Sequence, residues 1–207
     1  MPSAPTDLLA ICARVDRHGL IAAECRSLTG GVPDGDGIAR CERIDRVSRA
    51  AFVQKGLDVV ARGDTLDELI ANVAAADFPA DSFRIDVHDP SGRIGRSTQS
   101  VATALADVIP FGPDLRSPQH RFIVTAGDAG LVFGEVVTET DAGYRRHDAK
   151  PWTTSSSLDG RFARGLVNLV PDARSVLDPC CGAGSIVLEA ASLGLDAYGV
   201  DWKPAMV

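Results

Sequence analysis

Asp178-Pro179-Cys180-Cys181-Gly182-Ala183-Gly184-Ser185 is the stretch on which the reading of this 207-residue chain turns. Just before it, Ser175-Val176-Leu177 is a short apolar run stopped at Asp178, the pattern of a buried parallel strand. Just after it, Ser185–Leu193 reads as a helix carrying Ile186, Val187, Ala190, Ala191 and Leu193, with Gly194 placed to end it. Asp196–Val200 is a second short strand, closed by Asp201. Strand, glycine turn, helix, strand and acid make half of a Rossmann nucleotide-binding unit. Gly182 and Gly184 allow a sharp turn and a close approach of backbone to ligand. The free N–H groups at the helix start point toward that ligand. Asp201 lies 17 positions after Gly184, near the roughly 20-residue offset of an acid that accepts hydrogen bonds from ribose hydroxyls.

The ligand is narrowed by what surrounds the glycines. Val187 stands where a dinucleotide fingerprint has its third glycine. Asp178 sits at the mouth of the loop, where a carboxylate repels pyrophosphate but suits a cationic sulfonium. The eight residues closely resemble motif I of class I methyltransferases that use S-adenosylmethionine, in the Asp-Pro-x-Cys-Gly-x-Gly form common among nucleic-acid methyltransferases. The resemblance implies S-adenosyl-L-methionine as cofactor, bound by Asp178, Cys180, Gly182, Gly184 and Asp201.

Composition sets the outer limits. Apolar content is 45% and charged content 24%, as in ordinary globular proteins. No stretch approaches the ~18 apolar residues of a membrane span, and the polar start Met1–Asp7 does not read as a signal peptide. The expected location is the cytoplasm. Five cysteines without a C-x-x-C pair, two of them adjacent at Cys180-Cys181, read as free thiols rather than a disulfide framework or a metal site. The net charge of −7 counts against a strongly basic nucleic-acid binder. The one basic cluster is Arg145, Arg146, His147 and Lys150.

From the N-terminus, Leu8–Ile11 and Gly19–Glu24 are candidate strands of a small sheet, and the glycine-rich Thr29–Gly37 is a surface turn. Ile38–Val47 reads as an edge strand or a helix start, and Ala50–Ala61 as strand or helix. Thr65 and Glu68 form a capping box for a helix whose apolar face is Leu66, Leu69, Ile70, Val73 and Ala74, ending near Asp77. Ser82–His88 alternates as a strand. Ser97–Ile109 is a helix with Val101, Leu105, Val108 and Ile109 inward, and Arg121–Ala126 with Leu131–Thr138 is a hairpin. The run Pro113-Asp114-Leu115-Arg116-Ser117-Pro118, the following apolar strand and Phe133-Gly134 resemble the C-terminal half of a THUMP domain, which implies recognition of tRNA.

Past residue 143 the sequence becomes specific again. Ser156 or Ser157 is placed to cap a helix containing Leu158, Phe162, Leu166 and Leu169. Lys150-Pro151-Trp152, Ser157-Leu158-Asp159, Phe162-Ala163-Arg164 and Leu166-Val167-Asn168-Leu169 stand in the order found in archaeal-type tRNA guanine-N(2) methyltransferases, which this stretch resembles. Gly160 replaces that family's proline. The resemblance covers about residues 50–207. It implies tRNA as partner, Ser157 and Asp159 beside the cofactor, and Arg145, Arg146 and Lys150 as RNA contacts.

The expected architecture is α/β. An N-terminal α+β segment (1–49) and a THUMP-like RNA-binding domain (50–146) precede the first part of a Rossmann-like methyltransferase domain (147–207), read as truncated. The Asp/Asn-Pro-Pro-aromatic tetrapeptide that positions an exocyclic amine for transfer occurs nowhere in the sequence. No catalytic residue is therefore assigned, the motif being expected downstream of Val207, and a complementary C-terminal half is an expected partner. The competing readings are a DNA adenine methyltransferase of the same superfamily and a non-catalytic tRNA-binding module.

Overall fold

The computed structural model describes residues 7–78, 81–150, 153, 155 and 157–203. Two sheets organise them. The larger has six strands in the order β2-β1-β3-β6-β5-β4, formed by β1 (Leu8–Cys12), β2 (Ile38–Cys41), β3 (Val53–Gly63), β4 (Phe83–His88), β5 (His120–Gly127) and β6 (Gly130–Glu139). Its neighbours pair antiparallel except β4 with β5, because the chain crosses over between those two through α3 (Thr98–Ala106). The smaller sheet is the parallel pair β7 (Ser175–Asp178) and β8 (Asp196–Gly199), joined by α5 (Ser185–Ser192).

The hairpin and the helix before it follow the sequence pattern. α2 (Leu66–Ala74) is capped by Thr65, whose hydroxyl accepts from the Glu68 N–H at 3.2 Å, while the Glu68 carboxylate accepts from the Asp64 N–H at 2.8 Å. Leu69 and Val73 of α2, with Val101 and Leu105 of α3, are buried against Phe83, Phe122, Val124 and Phe133 of the sheet. Ala50–Ala61, open between strand and helix, is resolved as β3, and Ile38–Val47 supplies the short β2. β1 and β2 pair into the same sheet as β3, so the sheet runs across residues 49 and 50.

Gly19–Glu24 is not a strand. It lies in α1 (His18–Thr29), where Ile21, Cys25 and Leu28 are buried. Those residues are spaced for one helical face, and Gly30 at φ +77° ends the helix. The α4 helix (Gly160–Val167) departs further from expectation. Its cap is Asp159, which accepts from the Phe162 N–H at 2.7 Å, not Ser157; Ser156 lies outside the described residues. It buries Gly160, Ala163, Arg164, Gly165 and Val167, leaving Leu158 and Leu169 each 38% exposed. The reason is close approach: a Cβ on Gly165 would stand 2.6 Å from Phe52 Cε2. No side chain larger than that of glycine fits at position 165. Phe162 instead lies under the Arg17 guanidinium, 4.4 Å from ring centroid.

Two buried carboxylates brace the helices, Glu24 joining α1 to the start of β3 and Glu189 joining α5 to α4. Glu24 accepts from the N–H groups of Ala51, Phe52 and Val53 and from the Asn168 side chain. Glu189 accepts from Arg164 Nε at 2.5 Å and is hydrogen-bonded to His147. Both glutamates are fully buried. In contrast, β7–β8 leaves Leu177 63% and Tyr198 60% exposed.

Candidate cofactor cleft

β7 delivers Asp178 to the top of the small sheet, where Asp178 Oδ1 accepts from the Cys180 N–H at 3.0 Å and starts the turn. Gly182 (φ +50°) and Gly184 (φ +72°) are both left-handed, with open space where a Cβ would point. Glycine is therefore required by backbone conformation, not by crowding. Gly184 is the N-cap of α5 and offers no side-chain acceptor, so the first-turn N–H groups face the loop uncapped.

β8 ends beside this turn. The Cys181 N–H donates to the Val200 carbonyl at 3.0 Å. Asp201 Oδ2 accepts from the Gly182 N–H and Oδ1 from the Lys203 N–H, both at 2.9 Å. The Lys203 and Gly182 amides, aided by the Lys203 charge, hold the Asp201 carboxyl below its ordinary range. Asp201 thus braces the glycine loop and retains lone pairs for further donors.

These segments enclose an open cleft of about 460 Å³. Of the six residues nominated from sequence, Ser157, Asp178, Cys180, Gly182 and Asp201 line it, and Gly184 forms the helix cap behind them. The lining also includes Ser185, Trp202 and Lys203, which were not among the nominated site residues. Trp202 was signalled by its place directly after the strand-end acid, and it is 83% exposed. Asp178 and Asp201 face Lys203 across the lining, with the Lys150 ammonium behind it on Ser185 Oγ, so the cleft carries both signs of charge.

The basic cluster divides. Arg145 and Arg146 are exposed on the 3-10 segment Gly143–Ala149. His147 turns inward to Glu189. Lys150 donates to Ser185 Oγ at the cleft, and that hydroxyl donates to the Leu158 carbonyl at 2.8 Å. Burial pushes the Lys150 ammonium below its ordinary pKa. Asp159 caps α4 and pairs with Arg17 at 3.2 Å. Glu189 was missed in the sequence, although an acid amid Ile186, Val187, Ala190 and Ala191 was the available signal.

Residues 146–205 match the family model described as an RMKL-like methyltransferase domain, UPF0020. Over 63 residues the chain is 40% identical to a tRNA (guanine(10)-N2)-dimethyltransferase of Pyrococcus abyssi, covering 30% of this chain and 19% of that protein. Over 172 residues it is 24% identical to the protein of the same name from Methanothermobacter thermautotrophicus, covering 75% and 49%. The chain therefore spans about half or less of the length of these relatives. The crystal structure of TrmN from Thermus thermophilus superimposes on 97% of this chain and 67% of its own, with a TM-score of 0.61 and 21% identity, a likeness of fold. Among the described residues no helix is long and apolar enough to cross a membrane.

Proposed function

We propose that the cleft binds S-adenosyl-L-methionine and that the chain serves methyl transfer to guanine N(2) in tRNA. The observation that carries this reading is convergence. Ser157, Asp178, Cys180, Gly182 and Asp201 come from three separate segments and line one cleft. In this reading Asp201 accepts from the ribose hydroxyls while bracing Gly182, and Asp178 faces the cationic end of the cofactor. The exposed ring of Trp202 offers a face to the purine. The uncapped first turn of α5 and Gly184 leave room for the cofactor's amino-acid tail.

The preceding residues are read as a THUMP-like RNA-docking domain, with 147–207 as the cofactor-binding part of a Rossmann-like domain. The match of residues 146–205 to a methyltransferase family and the tRNA-modifying relatives support this. A cytoplasmic location accords with it. The sequence holds no Asp/Asn-Pro-Pro-aromatic tetrapeptide, so the reading assigns amine positioning to residues outside it, on a longer chain or a complementary partner.

Equilibrium dialysis of the 207-residue chain against S-adenosylhomocysteine tests the cleft directly. One molecule bound per chain is expected, with affinity falling at least tenfold in Asp201→Ala, the scale of losing a charged hydrogen-bond acceptor. Absence of binding by a folded chain overturns the cofactor reading. RNA binding without cofactor binding favours a non-catalytic docking module.

A further inference from the structure

Away from the cofactor cleft, a second opening of about 310 Å³ lies where the ends of β3 and β6 meet the start of α4. Lys55, Arg145 and Arg161 line it, with Glu139 as the one acidic residue of the lining. Glu139 is already engaged: Lys55 and Arg121 both pair with it at 2.6 Å. Among the described residues, neither the Arg145 nor the Arg161 guanidinium pairs with a carboxylate, and Arg145 is exposed. In a chain of net charge −7, two guanidinium groups left without counter-ions in one opening are a local inversion of the field.

The opening is built, not accidental. Arg161 is held by a 2.9 Å bond from Nε to the Ala51 carbonyl and lies 4.8 Å over the Phe52 ring. Its terminal nitrogens carry four further N–H donors in a planar fork. Ala142, on the rim, adopts φ +51°, the one non-glycine residue with positive φ among those described. Such strain, of order 1–3 kcal/mol, persists where surroundings over-determine it and collects at ligand sites. Outward along one sheet face the cations are paired with carboxylates, Lys55 and Arg121 with Glu139 and Arg84 with Asp86, so the free guanidinium groups are confined to the opening. Lys55 stands opposite Glu139, and Arg121 bridges Glu139 and Asp86. Arg84 is the cross-strand neighbour of Arg121. Phe52 and Tyr144 are buried beneath Arg161, so no ring is free to stack a base. The contact available is to the backbone alone, which carries no sequence information.

We propose that this opening, through Lys55, Arg145 and Arg161, holds a phosphodiester of an RNA backbone. The proposal rests on the RNA-directed reading above. It predicts a docking point separate from the cofactor cleft that registers the strand without reading its bases.

The test is a titration of the full 207-residue chain with a short labelled oligoribonucleotide, followed by anisotropy at several salt concentrations between about 50 and 200 mM. Each lost phosphate contact on a single strand flattens the slope of log K against log salt by about 0.7, which is about a fivefold loss of affinity at 0.1 M salt. Arg145→Ala and Arg161→Gln are each expected to show that loss. Arg26→Ala, an exposed arginine on α1, is expected to keep the original slope. Circular dichroism of every variant reports that the fold is intact, and S-adenosylhomocysteine binding is measured in parallel. Slopes for both pocket variants equal to that of the unmodified chain overturn the proposal, as does an equal loss in Arg26→Ala or no RNA binding by the unmodified chain. Failure of cofactor binding in the unmodified chain refutes the cleft assignment instead, and the slopes still decide the pocket.

Discussion

Replacing Arg164 by alanine is the sharpest probe of how α5 is anchored to α4. Arg164 is 2% exposed and Glu189 fully buried. Their Nε to Oε2 separation is 2.5 Å. The same guanidinium also donates to Ser192 Oγ at 3.1 Å and to the Arg49 carbonyl at 3.3 Å. Truncation leaves the Glu189 carboxylate in the interior with His147 as its remaining partner. Removing one member of a buried ion pair costs about 3–5 kcal/mol, because the other charge is stranded. At about 2–4 °C per kcal/mol for a chain of this size, Tm should fall by about 6–20 °C. Circular dichroism on heating, with urea unfolding alongside, reads the change. Arg164→Met combined with Glu189→Leu should recover most of it, since an apolar pair of similar volume is often neutral or better than a buried ion pair. A loss under about 1 kcal/mol in Arg164→Ala, or a double variant weaker than the single one, would refute the argument that desolvation of Glu189 dominates.

Three further outcomes follow from particular contacts. Gly160→Pro should destabilise by about 2–4 kcal/mol in urea unfolding, although proline is ordinarily welcome at a first helical position. Here the Gly160 N–H donates to Asp148 at 2.8 Å, and a Cβ would stand 2.5 Å from the Tyr144 carbonyl oxygen. Glu24→Gln should cost about 3 kcal/mol by the same measurement, because an NH₂ group would then face backbone donors that now meet carboxylate oxygens at 2.6–3.2 Å. The stability difference between the unmodified chain and Asp201→Asn should be constant above about pH 5 and shrink on acidification. Its folded pKa is depressed by the Lys203 and Gly182 amides, so the contribution is complete above the unfolded value of about 3.9 and is lost as pH falls through the lower folded value. A difference that grows on acidification contradicts that assignment.

Much of the cleft was legible in the linear chain because the constraints that build it are local. A strand-end acid, two glycines that must turn left-handed, and a helix stop are read within a few residues of one another. The Thr65–Glu68 capping pattern and the β5–β6 hairpin are legible for the same reason, since their partners lie three or four positions apart or across a short turn. Periodicity was a weaker guide where burial is decided by a distant neighbour. The apolar set Leu158, Phe162, Leu166 and Leu169, in and flanking α4, is the natural candidate for the interior. Phe52, more than a hundred positions away, instead admits only glycine at position 165, and that turns a different face inward. Likewise the run Arg145 to Lys150 is a single basic cluster on paper. Glu189 and Ser185 draw His147 and Lys150 inward, leaving Arg145 to join Arg161 and Lys55 at another opening. Glu24 and Glu189 carry no local sign of the donors they meet, because those donors belong to strands and helices brought together in folding. A turn's chemistry is written in the residues that make it, whereas the fate of a buried charge depends on which distant groups arrive to satisfy it.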